Sequence, residues 1–229
     1  MSQQNYYLID FDSTFIKLEI LEEIAKISLR NNPKKKEILQ EIVSICNAGM
    51  EGTISFDESL SRRLSLLKMN RKDLPQVIEI LKENVTPSII KNIDFFSENK
   101  DRVYIISGAF KECILPITSQ FGIPKIHVLA NSFIFDKDNN VIGADPTNPL
   151  TYSQGKVKIV QQLNLKGKII VLGDGYTDYE IKKEGAADIF IAFTENVKRV
   201  NIISKADYEV KNFDEFLKLI STVIASGSK

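Results

Sequence analysis

One histidine and two cysteines in 229 residues leave little material for many familiar catalytic and metal-binding sites. His127 lies in the apolar stretch Ile126-His-Val-Leu129, which predicts a short core strand and a packing role for the ring. Cys46 and Cys113 each fall in an apolar helical pattern, so buried free thiols are expected rather than a disulfide or a zinc site. Histidine nucleophiles, Ser-His-Asp triads and His-rich metal sites are poor candidates on these grounds. Any catalysis falls to carboxylates.

An excess of charge is also lacking. Lys plus Arg and Asp plus Glu both total 30, so nothing points to nucleic acid or an anionic membrane surface as a partner. No apolar run approaches the roughly 20 residues of a membrane span. Met1-Ser2-Gln3-Gln4-Asn5 has neither the basic segment nor the apolar stretch of a signal peptide, and a cytoplasmic location is the expectation. Monomer and homodimer both stay open. A chain that is 43% hydrophobic can bury one substantial core and a smaller second one.

What is present changes period twice. Tyr6 to Ile9 is an apolar run with the length of a buried strand. From residue 18 to about 83 the pattern is helical throughout, carried by Leu21, Ile24 and Ala25, then Ile38, Ile42 and Ile45, then Phe56, Leu60, Leu64 and Leu67, then Val77, Ile80 and Leu81. Ser55 with Glu58 predicts a capping box for the third helix, and Asp73 before Pro75 a cap for the fourth. Beyond Thr86, strands and helices alternate. Pro87 opens a helix, Arg102–Ile106 and Lys168–Leu172 are core strands, and Ser132–Asp136 turns through residues 137–140 into Val141-Ile142 as a hairpin. This is an α/β pattern: a Rossmann-like, doubly wound, mostly parallel sheet with an inserted helical bundle.

Polar clusters fall at the strand ends. Asp10-Phe-Asp-Ser-Thr14 follows the first strand, Ser107-Gly108 the second, and Gly173-Asp-Gly-Tyr-Thr-Asp178 the Lys168 strand, while Gly155-Lys156 opens a helix. Carboxyl ends of parallel strands share one edge of the sheet, so these groups can converge. Three carboxylates gathered there, Asp10, Asp174 and Asp178, repel one another unless a hard cation such as Mg²⁺ neutralises them. A hydroxyl, two backbone amides and a lysine beside them can hold a phosphoryl group. Together these describe phosphoryl transfer through an aspartyl-phosphate. A dinucleotide-binding reading of residues 173–178 fails because Asp174 and Asp178 would repel a pyrophosphate. Asp136–Asn140 has the acidic spacing of a calcium loop, but Val141 stands where glycine is needed, leaving a hairpin turn.

In order and strand context, Asp10-Phe-Asp-Ser-Thr14, Ile106-Ser-Gly108, Lys156 and Gly173-Asp-Gly-Tyr-Thr-Asp178 resemble the four motifs of the haloacid dehalogenase superfamily of phosphatases. The helical insertion resembles the cap of its phosphoserine phosphatase branch. The resemblance implies a catalytic core in residues 1–16 and 84–229, a specificity cap in 17–83, and Mg²⁺-dependent hydrolysis of O-phospho-L-serine in L-serine biosynthesis. It implies that Asp10 is the nucleophile and Asp12 the general acid and base. On the same resemblance, Ser107, the Gly108 amide and Lys156 would hold phosphate, while Asp10, the Asp12 carbonyl and Asp174 would bind Mg²⁺ with Asp178 behind them. It further implies that Glu19 takes the substrate ammonium and Arg63 its carboxylate, with Met50, Phe56 and Thr177 completing the pocket.

The chain departs from the family pattern at Ala109, at the bulky Tyr176, at Thr177 and in a long stretch from Asn31 to Asn47. A phosphatase of another small phosphorylated metabolite, or a phosphotransferase, uses the same motifs. A receiver-type signalling module also carries an aspartyl-phosphate, but it places its aspartate after a later strand and needs no helical insertion.

Overall fold

The computed structural model describes residues 4–224; Met1–Gln3 and residues 225–229, which belong to the N-terminal reading and to the expected core segments, lie outside them. The chain runs β1 (Asn5–Ile9), then helices α1 (Ile20–Ser28), α2 (Lys35–Glu51), α3 (Phe56–Leu66), α4 (Leu74–Lys82), α5 (Pro87–Lys91) and α6 (Ile93–Glu98). It continues through β2 (Val103–Phe110), α7 (Lys111–Thr118), β3 (Val128–Asn131), β4 (Phe133–Phe135), β5 (Val141–Ala144), α8 (Gly155–Leu163) and β6 (Lys168–Gly173). Then come α9 (Tyr176–Lys183), β7 (Ile189–Phe193), α10 (Val200–Ile203), β8 (Tyr208–Val210) and α11 (Phe213–Leu219).

Six strands form one sheet in the order β3-β2-β1-β6-β7-β8, with every pair parallel. Strands covered on both faces must be apolar on both faces, and the sequence obeys this. Tyr7, Ile9, Ile105, Ile170 and Leu172 pack into a core on one side, and Leu8, Ile106, Val171 and Phe190 into a second core on the other. Because β1 has β2 on one flank and β6 on the other, the strand order reverses at β1. Its carboxyl end is the switch point where such sheets hold ligands.

Along the chain, helices α1 to α4 are inserted between β1 and the remaining strands of the sheet. The two chain crossings run side by side, bridged at Ile16 and Val85, with Lys17 N–H donating to Asn84 O at 2.9 Å and Thr86 N–H to Phe15 O at 3.0 Å. Helix α1 has a strongly one-sided apolar face, burying Ile20, Leu21, Ile24 and Ala25. Gly52 closes α2 in the left-handed conformation, φ 77°, where a side chain would also strike the Tyr176 ring. Among the described residues no helix is long and apolar enough to cross a membrane.

Local expectations fail in four places. His127 ends a short 3₁₀ turn ahead of β3, with Ile126 79% exposed, because the pairing with β2 begins only at Val128. Its ring stacks on Tyr104 and its Nδ1 lies 3.1 Å from Val103 O, so the packing role stands. Strand β2 does not stop before Ser107 but runs on to Phe110, because Phe110 pairs with Asn131; the register shifts between Ile106 and Phe110. Ser55 Oγ accepts from Glu58 N–H at 3.3 Å, but Glu58 turns outward to Arg62 instead of closing the box. Asp73 caps no α-helix; it accepts from Asn70 N–H at 3.0 Å within the 3₁₀ turn that precedes α4.

Candidate active site

The turn after β1 is fixed from below by aromatic packing. Phe15 stacks on Phe11 and meets Phe96 and Phe121 edge to face, contacts worth about 0.5–1.5 kcal/mol each beyond simple burial. Ser13 sits at φ 54°, so the chain doubles back sharply between Asp12 and Thr14. Asn196, in the segment after β7, donates its side-chain amide to Ser13 O at 3.1 Å and to Thr86 Oγ1 at 2.8 Å, tying this turn to the second chain crossing.

On that base the strand-end carboxylates converge. Lys156 Nζ, from the first turn of α8, donates to Asp10 Oδ1 and to Asp178 Oδ1, both at 2.7 Å. Burial alone disfavours the Lys156 charge, but the two carboxylates outweigh it and hold its pKa above the ordinary lysine range. Asp178 Oδ2 accepts from Gly175 N–H at 3.1 Å, and a Cβ at Gly173 would lie 2.4 Å from that same oxygen. The glycine is what lets the carboxylate come so close. Asp174 accepts from Thr14 Oγ1 at 3.2 Å and from Arg199 Nε at 3.0 Å.

One oxygen each from Asp10, Asp174 and Asp178 lies within 4.8 Å of the others, and all three residues are buried. Burial, with Asp178 nearby, raises Asp10 well above the usual carboxylate range despite Lys156. Asp174 is pushed up to about 7 by burial, with Arg199 opposing. Such a cluster of hard oxygen donors calls for more positive charge than Lys156 and Arg199 bring, and a hard divalent cation fits that donor set.

Asp12 behaves differently from Asp10. Its Oδ2 accepts from Ile20 N–H, the first turn of α1, at 3.2 Å, while its Oδ1 is buried without a hydrogen-bond partner. Burial is the main cause of its raised pKa, followed by Glu19 and Asp10. A buried carboxyl oxygen held by no other group, on a carboxyl that resists ionisation, is suited to carrying a proton.

A small cleft above these groups is lined by Asp10, Asp12, Leu21, Met50, Phe56, Arg63, Ser107, Gly108, Ala109, Lys156 and Thr177. Nine of the site residues picked from the sequence thus line this one cleft. Glu19, Asp174 and Asp178 stand behind it. Phe56 covers Gly108 so tightly that a Cβ there would lie 2.4 Å from the ring, and Met50 Sδ would be 2.9 Å from a Cβ at Gly175. Glu19 receives Ser13 Oγ at 2.7 Å and the Cys46 thiol at 3.3 Å.

Sequence reasoning missed Arg199. This largely buried guanidinium meets Asp174, lies 3.9 Å from Glu19 and donates to Asn47 of α2 at 3.3 Å. It follows no motif, yet it lies beyond the carboxyl end of β7, on the edge where every other strand-end group had been sought. Asn196 is missed for the same reason.

A family model of the haloacid dehalogenase-like hydrolases matches residues 8–181. Human phosphoserine phosphatase is 31% identical over 211 residues, which span 91% of this chain and 89% of that one. A solved phosphoserine phosphohydrolase-like protein from Francisella tularensis superposes with a TM-score of 0.85 at 31% identity, over 95% of this chain and 100% of the other. A solved phospho-aspartyl intermediate analogue of phosphoserine phosphatase gives 0.75 at 26% identity, over 95% and 99%.

Proposed function

The chain belongs to the haloacid dehalogenase-like hydrolases, and from that premise we propose that it hydrolyses O-phospho-L-serine to serine and phosphate through an aspartyl-phosphate. One observation carries this reading: a single small cleft brings the Asp10–Lys156 pair and the free oxygen of Asp12 together with the buried guanidinium of Arg63. Phosphoryl chemistry and carboxylate recognition then act on the same molecule.

Asp10 attacks phosphorus, forming its O–P bond as the bond to the serine oxygen breaks. Asp12 gives its proton to that leaving oxygen. In the second step Asp12 takes a proton from water as the water oxygen bonds to phosphorus and the Asp10 O–P bond breaks. Ser107 Oγ and the Gly108 amide hold phosphate oxygens, with Lys156 balancing charge on both phosphate and nucleophile. Mg²⁺, held by Asp10, the Asp12 carbonyl and Asp174 with Asp178 behind, supplies further charge neutralisation when bound.

Residues 17–83 act as a cap on the core formed by 1–16 and 84–229. Glu19 receives the ammonium of phosphoserine and Arg63 its carboxylate. Met50 and Phe56 shut water out over the phosphate, and Thr177 borders the substrate. The relatives named phosphoserine phosphatase support phosphoserine as the substrate.

Initial rates with phosphoserine, phosphothreonine, phosphocholine and a sugar phosphate, each with Mg²⁺ and with EDTA, test the reading. The expected result is a clear preference for phosphoserine in kcat/KM, lost on chelation and restored by Mg²⁺. Equal efficiency across the panel would overturn the substrate, and full activity in EDTA would overturn the metal.

A further inference from the structure

Cys46 lies in the middle of α2, 2% exposed, between two charged side chains that are themselves buried, Glu19 at 9% and Arg63 at 4%. Its thiol donates to Glu19 Oε2 at 3.3 Å and its sulfur accepts from Arg63 Nη1 at 3.5 Å. Each charge also has a partner of its own: Ser13 Oγ donates to Glu19 Oε1 at 2.7 Å with Arg199 3.9 Å from that oxygen, and Arg63 Nε donates to Ser59 O at 3.3 Å. Among the described residues no ion pair joins Glu19 to Arg63, although opposite charges in a low-dielectric interior attract strongly. Something keeps them apart.

We propose that Cys46 is a positioning residue for specificity: its thiol spaces Glu19 and Arg63 as two separate charge receptors, one for an ammonium and one for a carboxylate. The proposal rests on the zwitterion reading of these two residues. A thiol suits the position because one neutral group gives a proton to the carboxylate and lone pairs to the guanidinium at once. Burial, reinforced by Glu19 and opposed by Arg63, pushes the thiol pKa up, so the S–H needed for the donor role is retained. Removing the sulfur leaves two buried charges each short of a partner and free to collapse on one another.

The experiment compares Cys46→Ala and Cys46→Ser on phosphoserine and on p-nitrophenyl phosphate, an aryl phosphate with neither ammonium nor carboxylate. Cys46→Ala is expected to raise KM for phosphoserine about tenfold, the scale of one hydrogen bond to a charged group, with kcat within about twofold. The aryl phosphate should change by less than about twofold in kcat/KM, and Cys46→Ser, which keeps a donor and an acceptor, should recover phosphoserine KM to within about threefold. Equal losses on both substrates, or no loss on either, would overturn the proposal. A second measurement does not depend on the substrate. The infrared difference between wild type and Cys46→Ser isolates the Cys46 S–H stretch, which should move to higher frequency in Glu19→Gln as the charged acceptor is lost; an unmoved band overturns the bridge. Should the wild-type protein show no preference for phosphoserine, the substrate reading has failed, and the band alone then decides for or against the thiol spacer.

Discussion

The two ends of the cleft are built in different ways. At the phosphate end, Asp10, Asp174 and Lys156 sit at the tip of a parallel strand or in the turn or helix start beside it, and the sheet sets their positions: Ile9 lies opposite Leu172 and Asp10 N–H donates to Leu172 O at 2.9 Å. At the other end, Glu19 just before α1, Cys46 of α2 and Arg63 of α3 are brought together by side-chain hydrogen bonds through the Cys46 sulfur rather than by a strand ladder. Catalysis needs reacting groups placed to within a fraction of an ångström, which a hydrogen-bonded sheet provides. Recognition tolerates a softer frame, and the helical layer is joined to the sheet by two adjacent chain crossings. The phosphate end should therefore fail for every substrate when altered, and the helical end for some substrates only.

Asp10→Asn is the severest way to test that division. The proposed nucleophile is lost, one of the two carboxylate partners of Lys156 becomes neutral, and kcat should fall by at least about four orders of magnitude for phosphoserine and aryl phosphate alike. Quenching and mass spectrometry of the wild-type protein during turnover should show a phosphoryl adduct that this variant lacks. Substantial residual turnover would exclude the covalent route. Arg63→Ala probes the other end. It should cost about 100-fold in kcat/KM on phosphoserine, equivalent to about 2.7 kcal/mol, and less than about threefold on p-nitrophenyl phosphate. Equal losses would mean that Arg63 supports the helical layer rather than reading a carboxylate.

The same contrast explains what the sequence revealed. A change from apolar run to polar cluster marks where the strands reach the cleft, so residues 10–14, 107–108 and 173–178 could be placed on one edge from pattern alone, although β2 itself runs on past Ser107 to Phe110. The sheet and its two cores follow from the same alternation. Helix faces carry no such stop signal: the spacing that predicts Leu60 and Leu64 inside says nothing about whether Arg63, between them, points into a cleft or into solvent. Glu19 and Arg63 were found only through family resemblance. Cys46 was correctly read as a buried free thiol, but its two charged neighbours lie 27 and 17 residues away in the chain, beyond any local pattern. Arg199 was invisible because a lone arginine after a strand resembles any surface cation until Asp174 is seen beside it. His127 was assigned to a strand because its apolar neighbours imitate one, whereas Ile126 in fact faces solvent.

Where the helices meet the sheet, the division can be tested more finely. Asp57, in the first turn of α3 and next to Phe56, accepts from Ser153 N–H at 3.3 Å and also from Ser153 Oγ. Ser153 lies three residues before Lys156, so this contact joins the helix that carries Arg63 to the turn that launches the phosphate-end lysine. The Ser153 hydroxyl is also the main reason the Asp57 carboxyl is held below its ordinary pKa, and the group stays charged as an acceptor. Because the pair is partly open to solvent, its loss should be worth only about 1 kcal/mol. Asp57→Ala should lower kcat/KM about fivefold and shift Tm by less than about 3 °C. Unlike Arg63→Ala, it should affect phosphoserine and the aryl phosphate equally, since the bond closes the cleft without touching either end of the substrate. Ser153→Ala should do the same, and the double variant should lose no more than either single one, because both changes remove one and the same interaction. Additive losses would show that the two residues act separately and that no bond between them closes the cleft on this side.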